Sequence, residues 1–230
     1  ILDLEDSVAD NDKAAARAAR AAVAAWLPGA SVTVQVRVNA PGSAALAADL
    51  AALPPDAALR VPKVSGTDDL AALAGREVHA ILESALGIER AFAIASHPAV
   101  QSLALGEADL AAELGLEGED AFAWVRSRVV VAARAAGLPA PMMSAYPDPR
   151  DLGGLARSCA TGRRLGFHGR TAVHPAQVPV IRDAFAPTDA DVAWAREVLA
   201  ALDSSGVARR ADGSMVDEAM RRRAEGILRP

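Results

Sequence analysis

Short runs of apolar and β-branched residues recur at 1–4, 31–38, 58–64, 78–82, 100–105, 140–145 and 170–173, and each predicts a β-strand. Between them lie longer stretches rich in Ala, Leu and interspersed charge. These predict helices over 13–26, 44–53, 67–74, 107–114, 120–136, 149–164, 175–185 and 190–201, with another between Glu83 and the strand at 100–105. Pro28-Gly29 closes the first helix and Pro54-Pro55 the second. Gly137 stops the helix over 120–136, and Pro175 is suited to be the first residue of the helix after it. Thr188, with Asp191 three residues on, resembles a capping box for the last long helix of this series.

Strict alternation of strand and helix requires parallel strands, because a parallel pair must be joined by a crossover. Seven such units beginning abruptly at a strand predict an α/β protein, a (β/α)8 TIM barrel lacking its first βα unit in this chain. The alternative is an open doubly wound sheet, but neither GxGxxG nor GxxxxGK[ST] occurs to favour it. Residues 1–203 are assigned to the barrel. Residues 204–230 are assigned to a C-terminal arm in which ADGSMVDEAMRRRAEGIL (211–228) reads as a turn, Met215–Val216 and a helix.

Composition narrows the class. A chain of 230 residues fits one large domain. Its longer apolar runs, at 21–27 and 129–133, fall well short of the roughly 20 residues needed to cross a bilayer. The net charge is −5 with no basic stripe, so neither a nucleic-acid nor a membrane partner is expected. Cys159 is the only cysteine, which excludes an internal disulfide and fits a reducing compartment; with no basic start followed by an apolar segment at the N-terminus, the cytoplasm is expected.

Charge changes the picture further. Glu5 and Asp6, Arg37, Lys63, Glu83, Asp109 and His174 all fall at the C-terminal ends of predicted strands, the face on which barrel enzymes carry their chemistry. Glu83 and Asp109 follow successive strands, so in a parallel sheet both open on one side. Two carboxylates there suit a hard divalent cation such as Mg²⁺, with its other sites left to water and substrate oxygens. Each carboxylate also has an ordinary reading as a helix cap. Arg37 is suited to pairing with a substrate carboxylate or to simple solvation, and His174 to a substrate contact or a satisfied core position. Cys159 reads as packing, and Arg221–Arg223 as a solvated helix face or a subunit contact.

The motifs LDLEDSV (2–8), VRVN (36–39), VPK (61–63), ILESALG (81–87), LALGEADLAAELG (103–115), GFHGRTAVHPAQV (166–178) and GSMVDEAMRRRAEGIL (213–228) resemble, in order, those of the citrate lyase β-subunit-like family. That family lies in the HpcH/HpaI aldolase group with the malyl-CoA and citramalyl-CoA lyases. The resemblance implies a (β/α)8 barrel, Mg²⁺, and reversible carbon–carbon cleavage of a hydroxyacyl-CoA thioester to an acyl-CoA and an oxo acid. It also implies a homo-oligomer, a trimer or hexamer. Carried across by motif, Glu83 and Asp109 match the metal ligands. Arg37 matches the arginine that meets a substrate carboxyl or carbonyl group, with Asn39 and His174 as further substrate contacts. Asp217 of the MVD motif matches an acid/base group that reaches a neighbouring subunit's site, and Glu5 and Asp6 lie near the metal.

Three departures stand out. The chain lacks the usual preceding unit with its R-S-x-L-F-x-P-G-like strand, which points to an incomplete chain. Met143 stands in a strand that usually carries an aspartate, and His168 replaces an aspartate in the turn before the last strand. Two alternatives to the lyase follow: a thioesterase on the same metal site, and a non-catalytic acyl-CoA-binding barrel.

Overall fold

The computed structural model describes residues 1–19, 26, 32–204, 208–209 and 213–228. Seven strands pair in parallel in the order of the sequence: β1 (Leu2–Asp3), β2 (Gln35–Arg37), β3 (Ala58–Val61), β4 (Val78–Leu82), β5 (Val100–Leu105), β6 (Met142–Met143) and β7 (Gly169–Arg170). Every predicted strand is present, but those at 1–4, 31–38, 58–64 and 140–145 are shortened and the one at 170–173 begins a residue earlier and ends at Arg170; Ser31 lies outside the described residues. Among the described residues no ladder joins β7 back to β1. A sequential parallel order with helical crossovers is the α/β architecture of a TIM barrel, not the strand order of a doubly wound sheet.

The crossovers are α1 (Lys13–Ala18), α2 (Ala44–Ala52), α3 (Ala85–Glu89), α4 (Ala91–Ala95), α5 (Glu107–Leu114), α6 (Ala123–Ala135) and α7 (Leu152–Leu165), and α8 (Gln177–Phe185) follows β7. Most of the helix expected beyond Ala18 falls outside the described residues. Three expectations are corrected. Thr67–Leu73 winds as a 3₁₀ helix, because the Asp69 carboxylate takes the Ser65 and Gly66 N–H groups at 2.7 and 3.1 Å and tightens the turn. The segment after Glu83 is two short helices. Pro175 sits in the turn before α8, where its carbonyl accepts the Val178 N–H at 3.1 Å and the Gln177 side chain takes the Val173 N–H at 2.9 Å.

Alternation along each strand separates the faces. Leu2, Leu4 and Val36 meet Ala16, Ala52 and Leu53 of the flanking helices around a small apolar cavity. Leu59, Val61, Ala80 and Leu82 are wholly buried, each large side chain contributing about 1.5–3 kcal/mol relative to exposure. On the opposite face the register aligns Arg37 with Arg60, Arg60 with His79, and His79 with Ser102. That row is hydrogen-bonded: Arg60 donates to Gln35 at 3.0 Å, and His79 Nδ1 lies 2.7 Å from Ser102 Oγ. At β6 the side chain of Met143 turns towards the helices and presses on Gly162 of α7, where a Cβ would lie 1.9 Å from the Met143 sulfur.

The residues from Phe185 onwards form a second compact unit. It contains α9 (Asp189–Ser204), an antiparallel pair β8 (Ala208–Arg209) and β9 (Met215–Val216), and α10 (Glu218–Leu228). Its core is Ala195, Val198, Leu202, Val216 and Ala224, flanked by Trp194, Met220 and Ile227. The expected capping box forms, with Thr188 Oγ1 accepting the Asp191 N–H at 3.1 Å and Asp191 Oδ2 accepting the Thr188 N–H at 2.9 Å. α9, grouped above with residues 1–203, thus packs with the C-terminal segment, because its apolar stripe is covered by α10. No described helix is long and apolar enough to cross a membrane.

Candidate active site

Glu83 directly follows β4, and the structure removes its reading as a helix cap. Ser84 takes that place, its Oγ accepting the Gly87 N–H at 3.1 Å. The Glu83 carboxylate instead accepts the backbone N–H of Lys63 at 2.7 Å, which Lys63 presents from a left-handed conformation with φ of 55°. On the neighbouring strand end only glycine fits: a Cβ on Gly106 would lie 2.2 Å from Glu83 Oε2. Asp109 lies in the first turn of α5, whose N-cap is Gly106 without a side-chain cap. Its carboxylate lies near enough for its charge to act on that of Glu83. Burial, and then the charges of Asp109 and Glu5, push Glu83 up to about 7 against the lowering effect of the Lys63 N–H.

Beside this pair stands a cluster of alternating charge. Glu5 is 3% exposed, with Lys63 Nζ 3.0 Å from Oε1 and Arg37 Nη1 3.0 Å from Oε2. Arg37 also turns its Nε and Nη2 edge onto Asp3, with Nε 2.9 Å from Oδ1 and Nη2 on Oδ2. Asp6 is 3.7 Å from Lys63 Nζ. Burial alone would raise Asp3, but hydrogen bonds from Arg37, Ser7 and the Glu5 N–H hold it at about 2. Arg37 is raised by the Asp3 hydrogen bond and Lys63 by the Glu5 one. The two-nitrogen edge of Arg37 that would grip a substrate carboxylate is therefore occupied by Asp3, leaving Nη1, which faces Glu5 Oε2.

Asn39 lies on a different network. Its Nδ2 donates to the Leu4 carbonyl at 2.9 Å and Asp49 Oδ2 at 2.6 Å, while Oδ1 accepts from Lys13 Nζ at 2.6 Å. Lys13 also reaches the Leu4 and Glu5 carbonyls at 3.2 Å, and Arg17 closes on Asp49 at 2.7 Å. This network locks the turn that carries Glu5. His174 is exposed, four residues past the end of β7, and its Nδ1 accepts the Ala176 N–H at 3.1 Å. Asp217 is exposed in the second unit and caps α10, accepting the Ala219 and Met220 N–H groups at 3.0 and 3.1 Å. Of the two substituted positions, Met143 faces the helices, and His168 immediately precedes β7, its Nδ1 3.2 Å from the Pro141 carbonyl, at the end of the sheet away from the strand-end acids.

Sequence reasoning missed Asp3, Lys13, Asp49 and the pairing of Glu107 with Arg126 at 2.6 Å. Alternation from Glu5 back to Asp3 was the one available signal for the first; the rest depend on which helices lie against which strand ends.

Among the described residues no group of three or more Asp, Glu, His or Cys side chains is arranged to hold a metal alone. Glu83 and Asp109 nonetheless fit a magnesium ion, which takes one or two carboxylates and completes its shell with water and substrate. Their mutual repulsion and the raised Glu83 are what a bound dication would relieve.

Residues 1–175 match the family described as HpcH/HpaI aldolase/citrate lyase, and residues 125–229 match "C-C_Bond_Lyase of the TIM-Barrel fold". A citrate lyase subunit beta-like protein of Mycobacterium tuberculosis is 36% identical over 100% of this chain and 86% of its own. A (3S)-malyl-CoA thioesterase of Cereibacter sphaeroides is 33% identical over 89% of this chain and 75% of its own. An L-malyl-CoA/beta-methylmalyl-CoA lyase of Rhodobacter capsulatus is 30% identical over 99% and 85%. Among solved structures, the CitE protein of Mycobacterium tuberculosis in complex with magnesium, acetoacetate and coenzyme A superposes with a TM-score of 0.84 at 34% identity, covering 99% of this chain and 87% of that one.

Proposed function

This chain belongs to the HpcH/HpaI aldolase/citrate lyase family, and from that premise we propose that it is a Mg²⁺-dependent carbon–carbon lyase acting on a hydroxyacyl-CoA thioester such as malyl-, citramalyl- or citryl-CoA. The observation that carries this reading is the facing pair Glu83 and Asp109 at adjacent strand ends, flanked by the cations Arg37 and Lys63. Magnesium held there by Glu83 and Asp109 supplies Lewis acidity and a template for substrate oxygens.

In the cleavage direction the bond between the hydroxyl-bearing carbon and the carbon beside the thioester breaks. The hydroxyl loses its proton and becomes the oxo group of the released acid, while the electron pair passes to the thioester as an enolate. Arg37 Nη1 and Lys63 Nζ offer positive charge to the oxygen on which negative charge develops, and Glu5 holds both in place. A proton delivered to the enolate carbon completes the acyl-CoA, balancing the one lost from the hydroxyl. We assign that delivery to Asp217 of a second copy, with the segment 204–230 as the contact between subunits of a trimer or hexamer. The family resemblance supports this, and so does the exposure of Asp217. Asn39 acts through the Glu5 turn and His174 as an outer substrate contact. A reducing compartment, the cytoplasm, suits the lone buried Cys159.

The thioesterase relative favours a second reading, hydrolysis on the same metal pair. One experiment separates the two: incubation with malyl-, citramalyl- and citryl-CoA, with and without Mg²⁺. Metal-dependent release of an acyl-CoA and an oxo acid supports the lyase, and free CoA alone supports the thioesterase. Magnesium binding without turnover of any of the three overturns both.

A further inference from the structure

Among the described residues Arg126, on α6, is the largest of the fully buried side chains, 1% exposed. It is held on both sides by acid: Nε and Nη2 fork onto Glu107 Oε1 and Oε2 at 2.6 and 3.0 Å, and Nη1 meets Glu119 Oε2 at 2.6 Å. The contacts continue outward. Ser158 on α7 donates to Glu119 Oε1 at 2.5 Å, and Arg170 of β7, 4% exposed, donates to Ser158 Oγ at 2.8 Å. Glu107 is fixed a second time, its N–H donating to Ser144 Oγ at 3.3 Å just beyond β6.

Glu107 is the first residue of α5 and Asp109 the third, so the two carboxylates leave one turn in different directions. One is drawn under the helix layer to Arg126, and the other is left beside Glu83. A bidentate guanidinium–carboxylate pair fixes orientation as well as distance. Glu83 is in turn pressed against Gly106, the residue before Glu107. A small rotation of this turn would therefore change the spacing of the two site carboxylates directly.

We propose that Arg126 is a positioning residue for the metal pair: its fork on Glu107 sets the β5–α5 turn so that Asp109 faces Glu83, and the relay through Glu119 and Ser158 to Arg170 braces that turn against β7. The proposal rests on the reading that Glu83 and Asp109 hold the dication. Partners of this outer kind are worth roughly 10–100-fold in metal affinity.

The test is a titration with Mn²⁺, free ion followed by electron paramagnetic resonance, on the full chain and its Asp109→Asn, Arg126→Lys and Glu119→Gln variants, with melting temperature recorded for each. Asp109→Asn should abolish saturable binding. Arg126→Lys keeps the charge but loses the fork, and should weaken binding about tenfold or more. Glu119→Gln touches only the half-exposed outer carboxylate, should fold normally, and should weaken binding several-fold. Parent-like affinity in Arg126→Lys overturns the proposal even if its melting temperature falls. If that variant does not fold, parent-like affinity in Glu119→Gln overturns it. Unchanged binding in Asp109→Asn overturns the metal assignment instead.

Discussion

Arg37 shows how much one side chain's neighbours restrict it. Its two-nitrogen edge lies on Asp3, so what remains for an incoming oxygen is the single nitrogen now facing Glu5. A residue in that position needs its charge and only one donor. Arg37→Lys is therefore expected to retain part of the turnover, and Arg37→Ala to lose it by roughly 10²–10³-fold, which steady-state kcat on the thioester that is turned over will check. Asp3 also gives the fold an acid-sensitive pair. Its folded value of about 2 lies below the ordinary 3.8, so the stabilisation is complete above about pH 4 and is lost as the pH falls from 3.8 towards 2. Asp3→Asn should cost about 1 kcal/mol at pH 7 after solvent screening and almost nothing near pH 2, read from urea midpoints. In the sequence Arg37 was legible as a charge at a strand end. Its partner was not, because a lateral pair between β1 and β2 exists only once their register is set.

At the scale of elements, two glycines show how closely strand ends and helices approach. Gly106 leaves room for Glu83, and the nearest atoms a Cβ would meet include Glu83 Cβ at 2.5 Å, which cannot swing away. Gly106→Ala should therefore displace the carboxylate and weaken Mn²⁺ binding by at least tenfold; parent-like affinity would show that Glu83 is not a ligand. Gly162 of α7 is a different case, since the obstructing atoms belong to the flexible Met143 side chain. Gly162→Ala should cost about 1–3 kcal/mol by overpacking, and adding Met143→Ala should recover part of that, giving a coupling between the two in a double-mutant cycle. Element type and order were readable because a two-residue period and helical spacing are local properties. The 3₁₀ winding of Thr67–Leu73 and the start of α8 were not, because single side chains, Asp69 and Gln177, decide them by taking backbone N–H groups.

At the scale of the molecule, the proposed reaction draws Arg37 from one copy and Asp217 from a second. If Asp217 serves a neighbouring copy, Asp217→Ala alone should lower turnover by roughly 10²–10⁴-fold. Mixing inactive Asp217→Ala and Arg37→Ala proteins under conditions that exchange subunits should then restore activity, whereas a group acting within one chain would leave the mixture inactive. The sequence by itself determined the alternation of strand and helix, the parallel order it enforces, and the common face on which Glu83, Asp109, Arg37 and Lys63 emerge, since each follows from periodicity and from the handedness of crossovers. Only tertiary structure decided that Ser84 and not Glu83 caps its helix, that Asp3 occupies Arg37, that Met143 turns outward, and that Arg126 stands behind the Asp109 turn. Those outcomes depend on distances between residues far apart in the chain, and a hydrogen bond or an ion pair is sensitive to tenths of an ångström that no one-dimensional pattern records.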